Sequence, residues 1–279
     1  MVKYPVPKMS PEALVRVIYR TLARRWGRQH WWPAETAFEV IVGAILTQNT
    51  SWKNVERALA SMRAAGILNL GGIRAASISE LQQLIRSSGY YRQKASRLQR
   101  FVAFLDEKYG GSLEAMLSTP TEQLRAELLA LKGIGPETAD AILLYAGHHE
   151  IFVVDAYTRR ILERHEGIRS TAKYDEIRTL VEHALRKESP LPYSPQGNAP
   201  YDAATHEPST VSTAARTPLA QTYNEMHGLL VQVGKLYCHR NDPKCADCPL
   251  CKYLPDGKLS RSGPNISPKS LKPKGNKFE

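Results

Sequence analysis

The chain reads as an all-α fold. Apolar residues recur at helical spacing through most of it, and capping residues stand where several of those runs begin. No stretch shows the apolar–polar alternation of a half-buried strand. In chain order, Ser10 suits an N-cap with Pro11 in the first turn, and Leu14, Val15, Ile18, Leu22 and Trp26 follow on one face. Residues 36–46 are apolar nearly all round, as expected of a helix buried at the centre of a bundle. Helical patterns continue over 79–86, 91–109, 121–131, 136–145, 156–164 and 174–186.

Composition narrows the function classes. A length of 279 residues allows one large domain or two small ones. Lys+Arg number 38 against 27 Asp+Glu, a formal charge of +11 that points to a polyanion, most often nucleic acid. Hydrophobic residues at 42% and charged residues at 23% exclude a wholly disordered chain. No apolar run approaches the ~18–20 residues that span a bilayer, and the first ten residues lack the apolar core of a secretory leader. A cytoplasmic protein with no membrane partner is therefore expected. Residues 188–219 hold six prolines among Ser, Thr and Ala and read as a flexible insert. Residues 255–279 carry six Lys/Arg against two acids and read as a disordered basic tail.

The most informative run is Leu131-Lys132-Gly133-Ile134-Gly135-Pro136-Glu137-Thr138-Ala139-Asp140. One helix ends at Leu131. Gly133 and Gly135 permit a close backbone approach, and Pro136 opens a second helix whose first N–H groups point outward. Such an N-terminus binds phosphate without reading bases. Apolar Ile151 to Val154 then lead into Asp155 and a further helix start, Ala156-Tyr157-Thr158-Arg159-Arg160.

With LKGIGPETAD followed by VVDAYTRRIL, the chain resembles the helix-hairpin-helix DNA glycosylases of the endonuclease III superfamily, over roughly residues 14–187 and 220–252. The resemblance implies excision of damaged bases from double-stranded DNA by a monomer associated with the nucleoid. It makes Asp155 the catalytic carboxylate, able to stabilise oxocarbenium charge at C1′ or to orient an attacking water. An Asp opening a helix can equally be a plain N-cap. Bifunctional members carry a lysine two residues past the second hairpin glycine, whose amine forms a Schiff base. That position is Glu137, which implies a monofunctional enzyme using water, and Lys132 stands on the wrong side of the hairpin to replace it.

The resemblance also implies a base pocket. All four tryptophans fall between Trp26 and Trp52. Trp31-Trp32-Pro33 and Gln48-Asn49-Thr50-Ser51-Trp52 resemble the 3-methyladenine glycosylase branch, in which aromatic rings sandwich an alkylated purine. Trp31, Trp32 and Trp52 are the stacking candidates, and core anchoring is the other reading. Gln48 matches the residue that fills the vacated stack, Tyr90 the wedge against the opposite strand, and Lys235 a pocket lysine. Lys132, Gly133, Ile134, Gly135, Glu137 and Thr138 complete the expected DNA contacts.

Cys238-x6-Cys245-x2-Cys248-x2-Cys251 groups every cysteine of the chain. Clustering of this kind reads as a metal or iron–sulfur site rather than a disulfide framework. It resembles the superfamily's 4Fe-4S loop, though its third spacing has two residues where five are usual; zinc is the alternative. Two lobes are expected. A helical barrel spans 36–147, with the hairpin at 121–147. The second lobe combines 8–35, 148–187 and 220–252 with the cysteine loop. Two rival functions are a bifunctional glycosylase/lyase on oxidised pyrimidines and a non-catalytic helix-hairpin-helix DNA-binding protein.

Overall fold

The computed structural model describes residues 9–190 and 208–255. Among them there are helices and no strand. Ser10 accepts the Ala13 N–H at 3.2 Å and starts α1 (Pro11–Trp26), which buries the predicted apolar face. Thr36 caps α2 (Ala37–Leu46) in the same way, and every residue of α2 from Phe38 onward is buried. Glu39 is the one charge inside α2; it accepts the Glu35 N–H at 3.1 Å and pairs with Arg63.

Round α2 pack α3 (Trp52–Ala64), α4 (Leu70–Ala75), α5 (Ile78–Leu84), α6 (Tyr91–Tyr109), α7 (Leu113–Leu117), α8 (Thr121–Ala130) and α9 (Pro136–Ala141). A second group packs α10 (Ala156–Arg164) and α11 (Tyr174–Leu185) with α1 and α13 (Pro218–Leu236). The groups meet where α13 lies against the turn that follows α9. No helix among the described residues is long and apolar enough to cross a membrane.

Some boundaries differ from the sequence reading. The 136–145 helix is α only to Ala141 and continues as a π turn over Ile142–Ala146, all of it buried. The 79–86 helix starts one residue earlier, capped by Ser77, and yields to a 3-10 turn at Arg86–Ser88. Helices α3, α4, α7 and α13 are new. In α4 the chain passes so close that a Cβ on Gly72 would stand 2.6 Å from Ile67 Cα.

The expected flexible insert is corrected at both ends. Glu188 pairs with Arg20 at 2.7 Å, and the Tyr19 hydroxyl donates to Ser189 O at 3.4 Å. Ser209 opens α12 (Thr210–Thr213), and the Ser209 hydroxyl accepts the Ala34 N–H at 3.2 Å while donating to Trp32 O at 3.3 Å. Composition pointed to a loop, but hydrogen bonds to residues far away in sequence order these ends. The middle of the insert and the basic tail beyond Pro255 lie outside the described residues.

Candidate active site

The site is built at the junction of the two helix groups. Residues 151–154 run extended and buried, with two of their N–H groups satisfied from α11. Phe152 N–H donates to Glu182 Oε1 at 2.9 Å and Val154 N–H to the Tyr174 hydroxyl at 3.2 Å. The chain thus arrives at Asp155 with its backbone fixed. Asp155 Oδ1 accepts the Thr158 N–H at 2.7 Å, so the residue is indeed the N-cap of α10. Its other oxygen is not spent on the cap: Oδ2 faces His227 Nε2 at 3.7 Å, in a side chain still 13% exposed.

Groups from α9 and α13 surround this carboxylate. Glu137 on α9 is open to solvent, yet burial in the cleft and then the Asp155 charge raise its carboxyl to about 7. Water at that exposed edge weakens the burial effect, so the nearby like charge is the firmer cause. His227 on α13 is buried, and burial holds its imidazole below the usual histidine range while Asp155 opposes. Lys235 is likewise drawn down by burial, opposed by Glu56 and Asp155, and its Nζ sits 5.4 Å from the centre of the Trp31 ring.

The hairpin has the expected form. Gly133 adopts φ +96°, and a Cβ there would meet Arg97 Nε at 2.3 Å, so glycine is required twice over. Ile134 is buried and anchors the tip, while Lys132 and Gly133 are exposed. Arg100 donates to Lys132 O at 3.1 Å. Gln48 is tied to the hairpin: its amide donates to Gly133 O at 3.0 Å and to Thr138 Oγ1 at 2.8 Å, and Arg97 holds its oxygen. Gly135 is the N-cap of α9. Tyr90 projects into solvent, 64% exposed, at a left-handed φ of 47° that few tyrosines adopt.

Trp31, Trp32 and Trp52 come together as expected. Trp32 meets Trp52 edge-on at 5.0 Å, and Trp31 lies 5.9 Å from Trp32 and 6.3 Å from Trp52. Gly43 leaves room for the Trp32 ring, which a Cβ would approach to 3.1 Å. The rings pack on one another at tilted and edge-on angles rather than standing as a parallel pair. Trp31 and Trp32 are buried, Trp52 is half-buried, and the Trp32 and Trp52 indole N–H groups have no hydrogen-bond partner. Trp26 is not in this cluster; it stacks on Tyr237. Sequence reasoning missed Tyr145 and His227. The available signal was a run of polar residues on α13 (Thr222, Asn224, Glu225, His227, Gln232) spaced among apolar ones, all of them buried.

None of the four cysteines is in a disulfide. Cys238, Cys245 and Cys248 line one small cavity with Arg164, His165, Val233, Tyr237 and Leu254. Burial pushes the Cys248 thiol up to about 11; the Leu250 backbone opposes, and the other three thiols push the same way. Arg164 Nη1 donates to Cys238 Sγ at 2.9 Å, and Arg160 Nε to Cys238 O at 2.7 Å. Among the described residues no set of three His, Cys, Asp or Glu is arranged to hold a metal ion. Three of the four thiols line this cavity, and the Arg160 and Arg164 guanidinium groups beside Cys238 could offset thiolate charge.

Residues 42–187 match the model of the HhH-GPD superfamily base excision DNA repair proteins. The protein MJ1434 of Methanocaldococcus jannaschii, named as a DNA repair glycosylase, is 40% identical over 241 residues, 86% of this chain and 95% of its own length. The chain belongs to the HhH-GPD superfamily. That membership makes it a DNA N-glycosylase of base excision repair. The H. pylori 3-methyladenine DNA glycosylase MagIII, solved with 1,N6-ethenoadenine, superposes with a TM-score of 0.63 at 30% identity, covering 81% of this chain and 98% of that one. An endonuclease III–DNA covalent intermediate shares the fold, with a TM-score of 0.66 at 22% identity over 91% of this chain and 100% of that one.

Proposed function

We propose that this glycosylase removes alkylated purines from duplex DNA by a monofunctional, water-using mechanism centred on Asp155. The observation that carries the reading is the division of labour within one carboxylate. Oδ1 is held by the Thr158 N–H, and Oδ2 points into a partly open junction lined by Glu137, His227 and Lys235. An anion fixed in that way can stabilise the oxocarbenium charge that develops as the glycosidic bond breaks. Glu137, at the place of the imine-forming lysine, offers no amine. Trp31, Trp32 and Trp52 would stack on the everted base, and an alkylated, cationic purine gains most from such faces. The similarity to MagIII supports that substrate class.

The hairpin amides at 133–138 would hold the backbone phosphate, Tyr90 would wedge the duplex and Gln48 would leave the hairpin to fill the stack. Cys238, Cys245, Cys248 and Cys251 would hold a 4Fe-4S cluster that docks the loop and takes no part in bond cleavage. The lobe division at 36–147, with the cleft between the helix groups receiving DNA, belongs to the same reading. So does action as a monomer.

Asp155→Asn is a sharp test because asparagine caps a helix as well as aspartate. The variant is expected to fold and to bind lesion duplex normally, with base release lost across a lesion panel. Retained excision would refute the reading. A second reading has one observation behind it: the Lys235 amine, depleted of proton affinity and lying over Trp31, is suited to imine formation. Borohydride separates the two. No trapped enzyme–DNA adduct is expected, and a trapped adduct that disappears in Lys235→Ala would establish the lyase.

A further inference from the structure

His227 is enclosed at 4% exposure, and its Nε2 has no hydrogen-bond partner. A buried polar atom without a partner costs about 1–3 kcal/mol, so its retention beside a reactive group calls for a reason. The atom is aimed at Asp155 Oδ2, 3.7 Å away, just beyond hydrogen-bond reach. On the other side of the ring, Nδ1 meets the Tyr145 hydroxyl at 2.6 Å. Trp31, Tyr145 and Phe152 flank the imidazole at 6.2, 5.8 and 6.3 Å between ring centres.

These contacts fix the tautomer. A bare Nε2 lone pair facing a carboxylate oxygen would be repelled, which puts the proton on Nε2. Nδ1 must then accept, and the Tyr145 O–H donates to it. Burial, with the Asp155 charge, keeps that phenol protonated. The Trp31 indole faces the same hydroxyl.

We propose that His227 is a positioning residue for glycosidic cleavage: when a lesion is engaged, its Nε2–H closes onto Asp155 Oδ2, and Tyr145 holds the imidazole in the tautomer able to do so. The inference rests on the reading of Asp155 as the catalytic carboxylate. Catalytic hydrogen bonds are often long in the free enzyme and tighten only in the complex. Here less than 1 Å of side-chain movement suffices. Because Trp31 touches both Tyr145 and His227, a base stacking on Trp31 would press on the group that aims the carboxylate. The charged and titratable groups facing Asp155 are Glu137 from α9, Tyr145 from the π turn, and His227 and Lys235 from α13.

The test is single-turnover excision and duplex affinity against pH for Tyr145→Phe, His227→Leu, His227→Gln and, as control, Asp155→Asn. Tyr145→Phe and His227→Leu are expected to slow excision about tenfold, the worth of one hydrogen bond to a charged group, with duplex affinity unchanged. The acid limb of the rate profile should move to higher pH in both, because a carboxylate without its donor takes a proton more readily. His227→Gln presents an N–H near the Nε2 position and should recover most of the rate. Should His227→Leu fail to fold, Tyr145→Phe decides alone. Slower excision with an unmoved acid limb and no recovery in His227→Gln would mark a merely structural residue and overturn the proposal. So would wild-type behaviour of Tyr145→Phe and His227→Leu beside an inactive Asp155→Asn. An active Asp155→Asn would instead remove the reading of Asp155 itself.

Discussion

Glu137 shows how much one side chain can decide. On the proposed reading it stands at the place of an imine-forming lysine, a position the sequence allowed to be assigned because the hairpin glycines fix its register. What the sequence did not show is that Glu137 and Asp155, eighteen positions apart, share one cleft. Burial in that cleft, with the Asp155 charge adding to it, raises the Glu137 carboxyl to about 7. The sign follows from proton linkage. A raised carboxyl is neutral below that pH and ionised above it, so alkaline conditions place a second negative charge beside Asp155 at the end of α9 where phosphate would sit. Affinity for duplex DNA is expected to fall as pH rises through about 7 and to be flat in Glu137→Gln, measured by equilibrium binding at fixed salt. A fall of equal size in Glu137→Gln would assign the pH dependence to another group.

Among the elements, those with strong caps or a clear apolar stripe were legible. Helix α1, with Ser10 and Pro11 at its start, and α6 and α10 lie where the spacing put them. Helix α13 was not, because a helix buried on all sides carries no stripe, and its buried polar residues break any apolar run. The same physics hid Lys94. It sits on α6 among ordinary surface residues, yet it is wholly buried, with Nζ donating to Leu46 O at 2.8 Å and Ser88 O at 2.6 Å. Burial, with Arg97 adding, draws its amine down to about 8. One ammonium thereby ties the end of α2, next to Gln48, to the turn that presents Tyr90. Lys94→Met keeps the aliphatic volume and leaves two carbonyls without a donor, and is expected to cost about 3 kcal/mol in denaturant unfolding. Duplex affinity should fall with it, since Tyr90 and Gln48, to which we assign the wedge and gap-filling roles, lose their common anchor. An unchanged unfolding midpoint would show that water satisfies those carbonyls.

For the whole molecule, the question is what holds a site assembled from two helix groups in register. Neither group contains it: Glu137 and Tyr145 come from one, Asp155, His227 and Lys235 from the other. The apolar contact of α13 with the π turn is one tie. A polar chain is the other. Arg125 on α8 donates to Asp140 on α9 at 2.7 Å and to Asp175 on α11 at 2.8 Å, and Tyr174, bonded to Asp140, receives the Val154 N–H just before Asp155. Asp140 is fully buried, and Arg125 is almost so. The hairpin helix therefore sets the backbone that carries the carboxylate through three side chains. Removing one partner of a buried ion pair costs about 3–5 kcal/mol, and Arg125 keeps Asp175 at its exposed edge. Asp140→Asn is accordingly expected to lose about 3 kcal/mol, read from the unfolding midpoint. Its excision rate should fall further than its duplex affinity, because the hairpin to which we assign phosphate binding lies in one helix group whereas the residues round Asp155 come from both. Equal losses in rate and affinity would mean that the chain stabilises the fold without aligning the site.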